Sequence, residues 1–165
     1  MNRAGFVIHS AIHRAKPELH CVAHTHTWPG MAISALECGL IPNTQTSMRF
    51  GKISYHDFSG VVLDLSEQAR LVRDLGDNNA MILRNHGLLT TGHSIGRAVT
   101  TMSMLIRVAD AQLRLMASGG EIHEPKPEVC EHTALQFDKQ RNSGGKPEWA
   151  AILRKLDRVD QTFRD

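Results

Sequence analysis

Two short apolar runs, Ala80-Met81-Ile82-Leu83 and Leu88-Leu89-Thr90-Thr91, constrain this chain most, together with the Arg84-Asn85-His86-Gly87 between them. Each run is too short for a core helix, and a glycine in the connection allows the backbone to bend sharply. The pair therefore predicts neighbouring strands joined by a tight turn. Further short runs stand at Cys21-Val22-Ala23 and Val61-Val62-Leu63, and segments with helical spacing lie between and beyond them. Short strands alternating with helices predict an α/β domain. A length of 165 residues suffices for one domain with a real core.

The turn contains a histidine, and a histidine pair stands at another strand end. His24 and His26 are two residues apart on an extended segment, so their side chains project to one face and can reach one ion. Pro29 opens a helix immediately beyond. Together with His86 they offer three imidazole nitrogens of a tetrahedral shell and leave its fourth vertex open. That is the arrangement of a catalytic zinc site rather than a closed structural one. Spacing alone also suits histidines that pack in a core or close a turn.

Other titratable residues are candidates for lesser roles. His9 and His13 share a helix face, but Ser10 stands where a metalloprotease needs glutamate, which leaves a solvated or subunit-facing stripe. His20 lies about 13 Å from His24 along an extended chain and is not expected to be a ligand. In Ser54-Tyr55-His56-Asp57-Phe58, a strand would place Tyr55 and Asp57 on one face and His56 on the other. Tyr55 and Asp57 are candidates for proton transfer, or for a hydrogen-bonded turn at a subunit contact.

His24-Thr25-His26 before a helix, the later Leu83-Arg84-Asn85-His86-Gly87-Leu88, and the words Ala4-Gly5-Phe6-Val7-Ile8-His9-Ser10-Ala11-Ile12 and Ser54 to Phe58 resemble the class II aldolase/adducin family, in its adducin-like branch. The resemblance covers most of residues 2–124. It implies a three-layer αβα fold with a central mixed or antiparallel sheet flanked by helices. It also implies Zn2+, or another divalent metal ion, on His24, His26 and His86. A small hydroxy-carbonyl substrate, a sugar or sugar acid, would be cleaved through stabilisation of an enediolate. A homo-oligomer, in particular a tetramer, with active sites between subunits is implied too. The family's acidic proton carrier falls at about Gly5, and no carboxylate stands between Met1 and Lys16. That departure leaves Tyr55, Asp57 or a metal-bound water as substitutes. It also keeps open a second class of function, an adducin-like interaction domain without catalysis. Family members usually carry a substantial segment ahead of the point where this chain starts. The chain is therefore expected to be a fragment, or a shortened member whose sheet edge needs covering.

Composition narrows the partners. A net charge of +2 without a Lys/Arg-rich run gives no general attraction to nucleic acid. The first apolar run, Phe6-Val7-Ile8, is broken at once by His9, so neither a signal peptide nor a membrane span is expected. Cys21, Cys38 and Cys130 are odd in number and far apart, which reads as reduced thiols of a cytoplasmic protein.

Helices are expected at residues 3–15, capped by Asn2, and at 29–38, with irregular chain and strand-like pieces from Leu40 to Phe58. Ser66 is expected to cap a helix ending at Leu75, and Ser94 to open the longest helix, to about Ala117. Ala98, Met102, Leu105, Ala109, Leu113 and Met116 would form its apolar face. After an extended linker at 123–127, helices are expected at 128–141 and 147–159, the second packing through Trp149, Ile152, Leu153 and Leu156. Residues 1–121 thus form the family domain, and residues 122–165 a helical tail on it or on a neighbouring subunit.

Overall fold

The computed structural model describes residues 3–57, 59–60, 65–139 and 146–164. The strand expected at Val61-Val62-Leu63, the cap at Asn2 and residues 142–145, between the helices expected at 128–141 and 147–159, lie outside the described residues.

The chain runs α1 (Arg3–Ala15), β1 (Cys21–Thr25), α2 (Trp28–Ser34), α3 (Gln45–Met48), β2 (Ser54–His56), α4 (Leu65–Leu75), β3 (Ala80–Leu83), β4 (Gly87–Gly92), α5 (Ile95–Ala117), α6 (Pro127–Lys139) and α7 (Lys146–Val159). A mixed four-stranded sheet has the order β1-β4-β3-β2. β3 and β4 form the expected hairpin, β1 pairs antiparallel with β4, and β2 pairs parallel with β3.

Two layers of helix cover the sheet, and the alternation of β3 shows why its run is apolar throughout. Met81 and Leu83 join Ile8, Ile12, Leu71 and Leu75 in the core under α1 and α4. Ala80 and Ile82 join Ile33, Met102, Leu105 and Ala109 in the core under α2 and α5. A strand buried on both faces has no polar side to show.

Local chemistry sets most boundaries. The Thr27 hydroxyl caps α2, accepting from the Gly30 N–H, and the Ser94 hydroxyl caps α5, accepting from the Arg97 N–H. α4 is described from Leu65 and ends at Leu75 as expected. Between Leu40 and Phe58, the expected irregular stretch contains α3, fixed by a reciprocal Thr44–Ser47 capping box, and then β2. The apolar face of α5 also ends differently from its sequence pattern. Gln112 is fully buried there, while Met116 is exposed. The Gln112 side chain accepts from the Ile41 N–H at 2.8 Å and donates to the Gly39 carbonyl at 2.8 Å. It thereby satisfies backbone groups of the loop after α2 that the core would otherwise strand.

In the tail, α6 starts at Pro127 and packs against α3, and the Arg49 guanidinium lies 5.0 Å from the Phe137 ring centre. α7 docks on α5, with Trp149 against Gly96, where a β-carbon would come within 2.7 Å of the indole. Trp149, Ile152 and Leu153 are half-buried there, and Leu156 is exposed. Cys21, Cys38 and Cys130 are free thiols. No helix among the described residues is long and apolar enough to cross a membrane.

Candidate metal centre

β1 delivers His24 and then His26, the residue just past its end. The β3–β4 hairpin delivers His86 in the turn Arg84-Asn85-His86. The hairpin pairs with β1 in a register that sets His24 opposite Leu89 and Thr25 opposite Leu88, so the turn lies against the end of β1. Gly87 serves close approach rather than a bend. A β-carbon there would collide with the Thr25 carbonyl and press on the His26 ring. The left-handed residue of the turn is Asn85, with φ 53°, a conformation asparagine tolerates better than most residues.

The three rings converge. Their centroids are 4.7 Å apart in every pairing, with interplanar angles of 77°, 70° and 66°. One nitrogen of each lies within 4.8 Å of the others. Nδ1 of His24 hydrogen-bonds the Leu88 carbonyl at 2.9 Å, which assigns the ring proton there and directs the Nε2 lone pair inward. Nε2 of His24 and Nε2 of His26 are 2.8 Å apart, a hydrogen bond. Nitrogens around a tetrahedral zinc stand about 3.3 Å apart, so a small parting of these two rings fits the group. Three neutral nitrogen donors suit zinc, or another divalent ion that accepts imidazole.

The electrostatics favour the neutral form of His24 and His86. Burial pushes His24 down to about 4, against the pull of the Leu88 carbonyl, and the charges of His86, His26 and His9 add to the lowering. His86 is lowered by burial first, then by His26 and His56. A deprotonated imidazole is the form that ligates a metal.

The structure separates Tyr55 from Asp57. β2 ends at His56, so the alternation expected to set the two on one face stops before Asp57. Tyr55 packs into the α5 side of the core. Its hydroxyl accepts from the Leu40 N–H at 3.0 Å, and the Arg84 guanidinium lies 4.3 Å from its ring centre. Asp57 lies at the wall of a cavity of about 20 Å³, shared with Val7, His56, Glu67, Arg84 and His86. Such a volume holds about one water.

His56 is the group that the sequence reading did not single out. It is 5% exposed, and its Nδ1 lies 2.7 Å from an Asp74 oxygen and its Nε2 2.6 Å from a Glu67 oxygen. Both ring nitrogens thus meet carboxylate oxygens, one from each end of α4. Arg70 bonds both Glu67 and the Asp57 carbonyl, tying the cluster to the cavity wall. The signal was present on α4, where Glu67 and Asp74 stand two turns apart on one face.

Other candidates lie apart. His13 bonds the Leu19 carbonyl, and His20 is exposed. His9 is half-buried and lowered by burial and by His13, and its charge is felt at His24. At Gly5 a β-carbon meets nothing within 4 Å, so the position has room for a side chain.

Comparison with known proteins bears directly on this geometry. Residues 1–113 match the Class II Aldolase and Adducin N-terminal domain. A Pseudomonas aeruginosa protein named for class 2 aldolase is 40% identical over 99% of this chain and 65% of its own length. Rat alpha-adducin is 33% identical over 96% of this chain and 23% of its own length. Among solved structures, an aldolase II superfamily protein from Pseudomonas syringae superposes with a TM-score of 0.94 at 43% identity, covering 100% of this chain and 67% of that one. L-fuculose 1-phosphate aldolase from Glaciozyma antarctica superposes with a TM-score of 0.76 at 29% identity, covering 96% of this chain and 61% of that one. The chain therefore spans less than two thirds of the length of both curated relatives.

Proposed function

The chain belongs to the class II aldolase and adducin family, and on that premise we propose that it is a metal-dependent lyase acting on a small hydroxy-carbonyl compound of the sugar or sugar-acid class. The observation that carries the reading is the convergence of His24, His26 and His86, which packing alone does not require. These three residues hold Zn2+ or another divalent ion. When bound, the ion supplies Lewis-acid stabilisation of negative charge developing on a substrate oxygen.

The remaining work falls to the protein. Asp57, at the cavity that His86 also lines, exchanges a proton with substrate through its carboxylate. The Glu67–His56–Asp74 cluster fixes the end of β2 beneath it. Tyr55 acts at a distance, holding the Leu40 N–H and the Arg84 side chain. Residues 1–121 form the domain that carries the site, and residues 122–165 are its helical tail. The working form is a homo-oligomer.

One observation favours a second reading, an adducin-like interaction domain that keeps the fold without catalysis. Gly5 stands where the family's enzymes carry an acid, and alpha-adducin matches nearly the whole chain. Metal analysis separates the two. Purified protein is expected to bind one zinc per chain, and His86→Ala to weaken binding by more than about 100-fold, beyond the range that outer-shell changes reach. Metal-loaded protein should then release aldehyde or carbon dioxide from hydroxy-keto acids. Wild-type protein that binds no divalent ion would sink the lyase reading, and bound ion without turnover would favour the interaction domain.

A further inference from the structure

Two of the three imidazoles come from one stretch of chain, His24 on β1 and His26 just past its end, and owe their spacing to it. The third sits in a three-residue turn, and a turn does not fix its own position. What holds it is α2. The Asn85 N–H donates to the Ser34 carbonyl at 3.1 Å, and the His86 N–H donates to the Ser34 hydroxyl at 3.1 Å as well as to the Leu83 carbonyl. The Ser34 hydroxyl in turn donates to the Met31 carbonyl at 2.7 Å, so its lone pairs are aimed at the turn. Ser34 is 1% exposed and is the last residue of α2. Arg84 closes the other side of the turn. Its guanidinium donates to the Leu36 carbonyl at 2.6 Å and to the Glu37 carbonyl at 3.3 Å, just past α2, while its own N–H donates to the His56 carbonyl.

α2 begins two residues after His26, capped by Thr27, and is pressed onto β4 where Gly30 meets Leu88. The same seven-residue helix therefore starts at one ligand and ends at the loop that carries another.

We propose that Ser34, supported by Arg84, is a positioning residue that holds the His86 turn to the end of α2 and so sets the distance between the third imidazole and the His24–His26 pair. The inference rests on the three histidines being metal ligands. It adds that the site is preorganised from behind by a serine that touches neither metal nor substrate. Loss of an outer-shell partner typically costs 10–100-fold in metal affinity.

The test compares wild type, Ser34→Ala, Arg84→Gln and the control Ser54→Ala. The Ser54 hydroxyl is also buried and donates a hydrogen bond to the Leu75 carbonyl, on the far edge strand. Zinc affinity is measured by chelator competition, the Co2+-loaded forms by visible absorption, and the metal-free forms by amide hydrogen exchange at Asn85 and His86. Ser34→Ala is expected to weaken zinc about 10–100-fold, to change the Co2+ spectrum and to speed exchange at both amides. Arg84→Gln, at a half-exposed site, should weaken zinc several-fold. Ser54→Ala should lose stability without moving zinc affinity or the spectrum. Zinc affinity within about threefold of wild type in both Ser34→Ala and Arg84→Gln, or exchange at Asn85 and His86 unchanged in Ser34→Ala, would overturn the proposal. If Ser34→Ala fails to fold, Arg84→Gln decides by the same readouts. Wild-type protein without zinc affinity would refute the metal reading itself, and the exchange measurement would still judge whether Ser34 holds the turn.

Discussion

Gly5 is the residue that divides the lyase reading from the interaction-domain reading. It lies one helical turn before His9 on the same face of α1, and the charge of His9 is felt at His24. A side chain at position 5 meets open space. Glutamate also suits a first helical turn, where it complements the helix dipole and replaces the residue least favoured in helices after proline. Gly5→Glu is therefore expected to raise stability by about 1 kcal/mol, measured by urea denaturation, with zinc content unchanged. In the lyase reading it should raise aldehyde release by about 100-fold, the scale of a positioned acid or base. Equal turnover in the two proteins would show that the missing carboxyl is not what limits the reaction. At this scale the sequence was readable where a motif has a fixed geometry. His24 and His26 stand out as a pair two residues apart where a strand ends, and His86 stands out before a glycine. His56 was not readable, because a histidine gains two carboxylate partners only when its strand docks against a helix. Tyr55 and Asp57 part because Tyr55 packs into the core under α5 while Asp57 lies at the cavity lined by α4 residues.

Among the elements, α4 and β2 depend on each other most. β2 has three residues and an edge position, and its C-terminal end is held by His56 against Glu67 and Asp74. Burial pushes the Asp74 carboxyl up, but hydrogen bonds from His56 and Arg73 and the nearby positive charges outweigh it, so the group rests below its ordinary value. A depressed carboxyl contributes stability that is present above its unfolded pKa of about 3.8 and is lost as pH falls through the folded value. Asp74→Asn should therefore be less stable than wild type at neutral pH, with the difference narrowing as pH drops below about 4. Denaturant midpoints measured across that range check it, and a gap that widens in acid would refute the assignment. The same dependence explains what the sequence left obscure. α1, α2 and α5 announce themselves through periodicity, caps and stops. β2 is a strand because β3 offers a parallel neighbour, and α3 is a helix because Thr44 and Ser47 bond each other reciprocally. Neither cue survives in a reading of local pattern alone.

For the whole molecule, the question is whether the tail and the site act as one unit. β4 runs from the histidine turn at Gly87 to Gly92, and six extended residues separate those ends by about 17 Å. Gly92 packs against the start of α5, and Trp149 of α7 covers Gly96 there, at the end of the sheet away from the imidazoles. The linker at 123–127 and the two helices after it were legible, but not where α7 docks, because Gly96 reads as an ordinary helix residue until an indole lies on it. Trp149→Ala removes a half-buried aromatic contact and should cost about 2 kcal/mol, below the 3–5 kcal/mol of a fully buried ring. Zinc affinity should stay within about twofold of wild type, because α7 docks on α5 at Gly96, at the other end of β4 from the histidine turn. Thermal unfolding with zinc titration on the same variant measures both quantities. A tail that secured only its own chain would lose the same stability at every protein concentration. If α7 also braced a second copy, the loss would grow on dilution, since dissociation and unfolding are then linked by mass action. A matching fall in zinc affinity would mean that the two ends of β4 are coupled and that the tail belongs to the site.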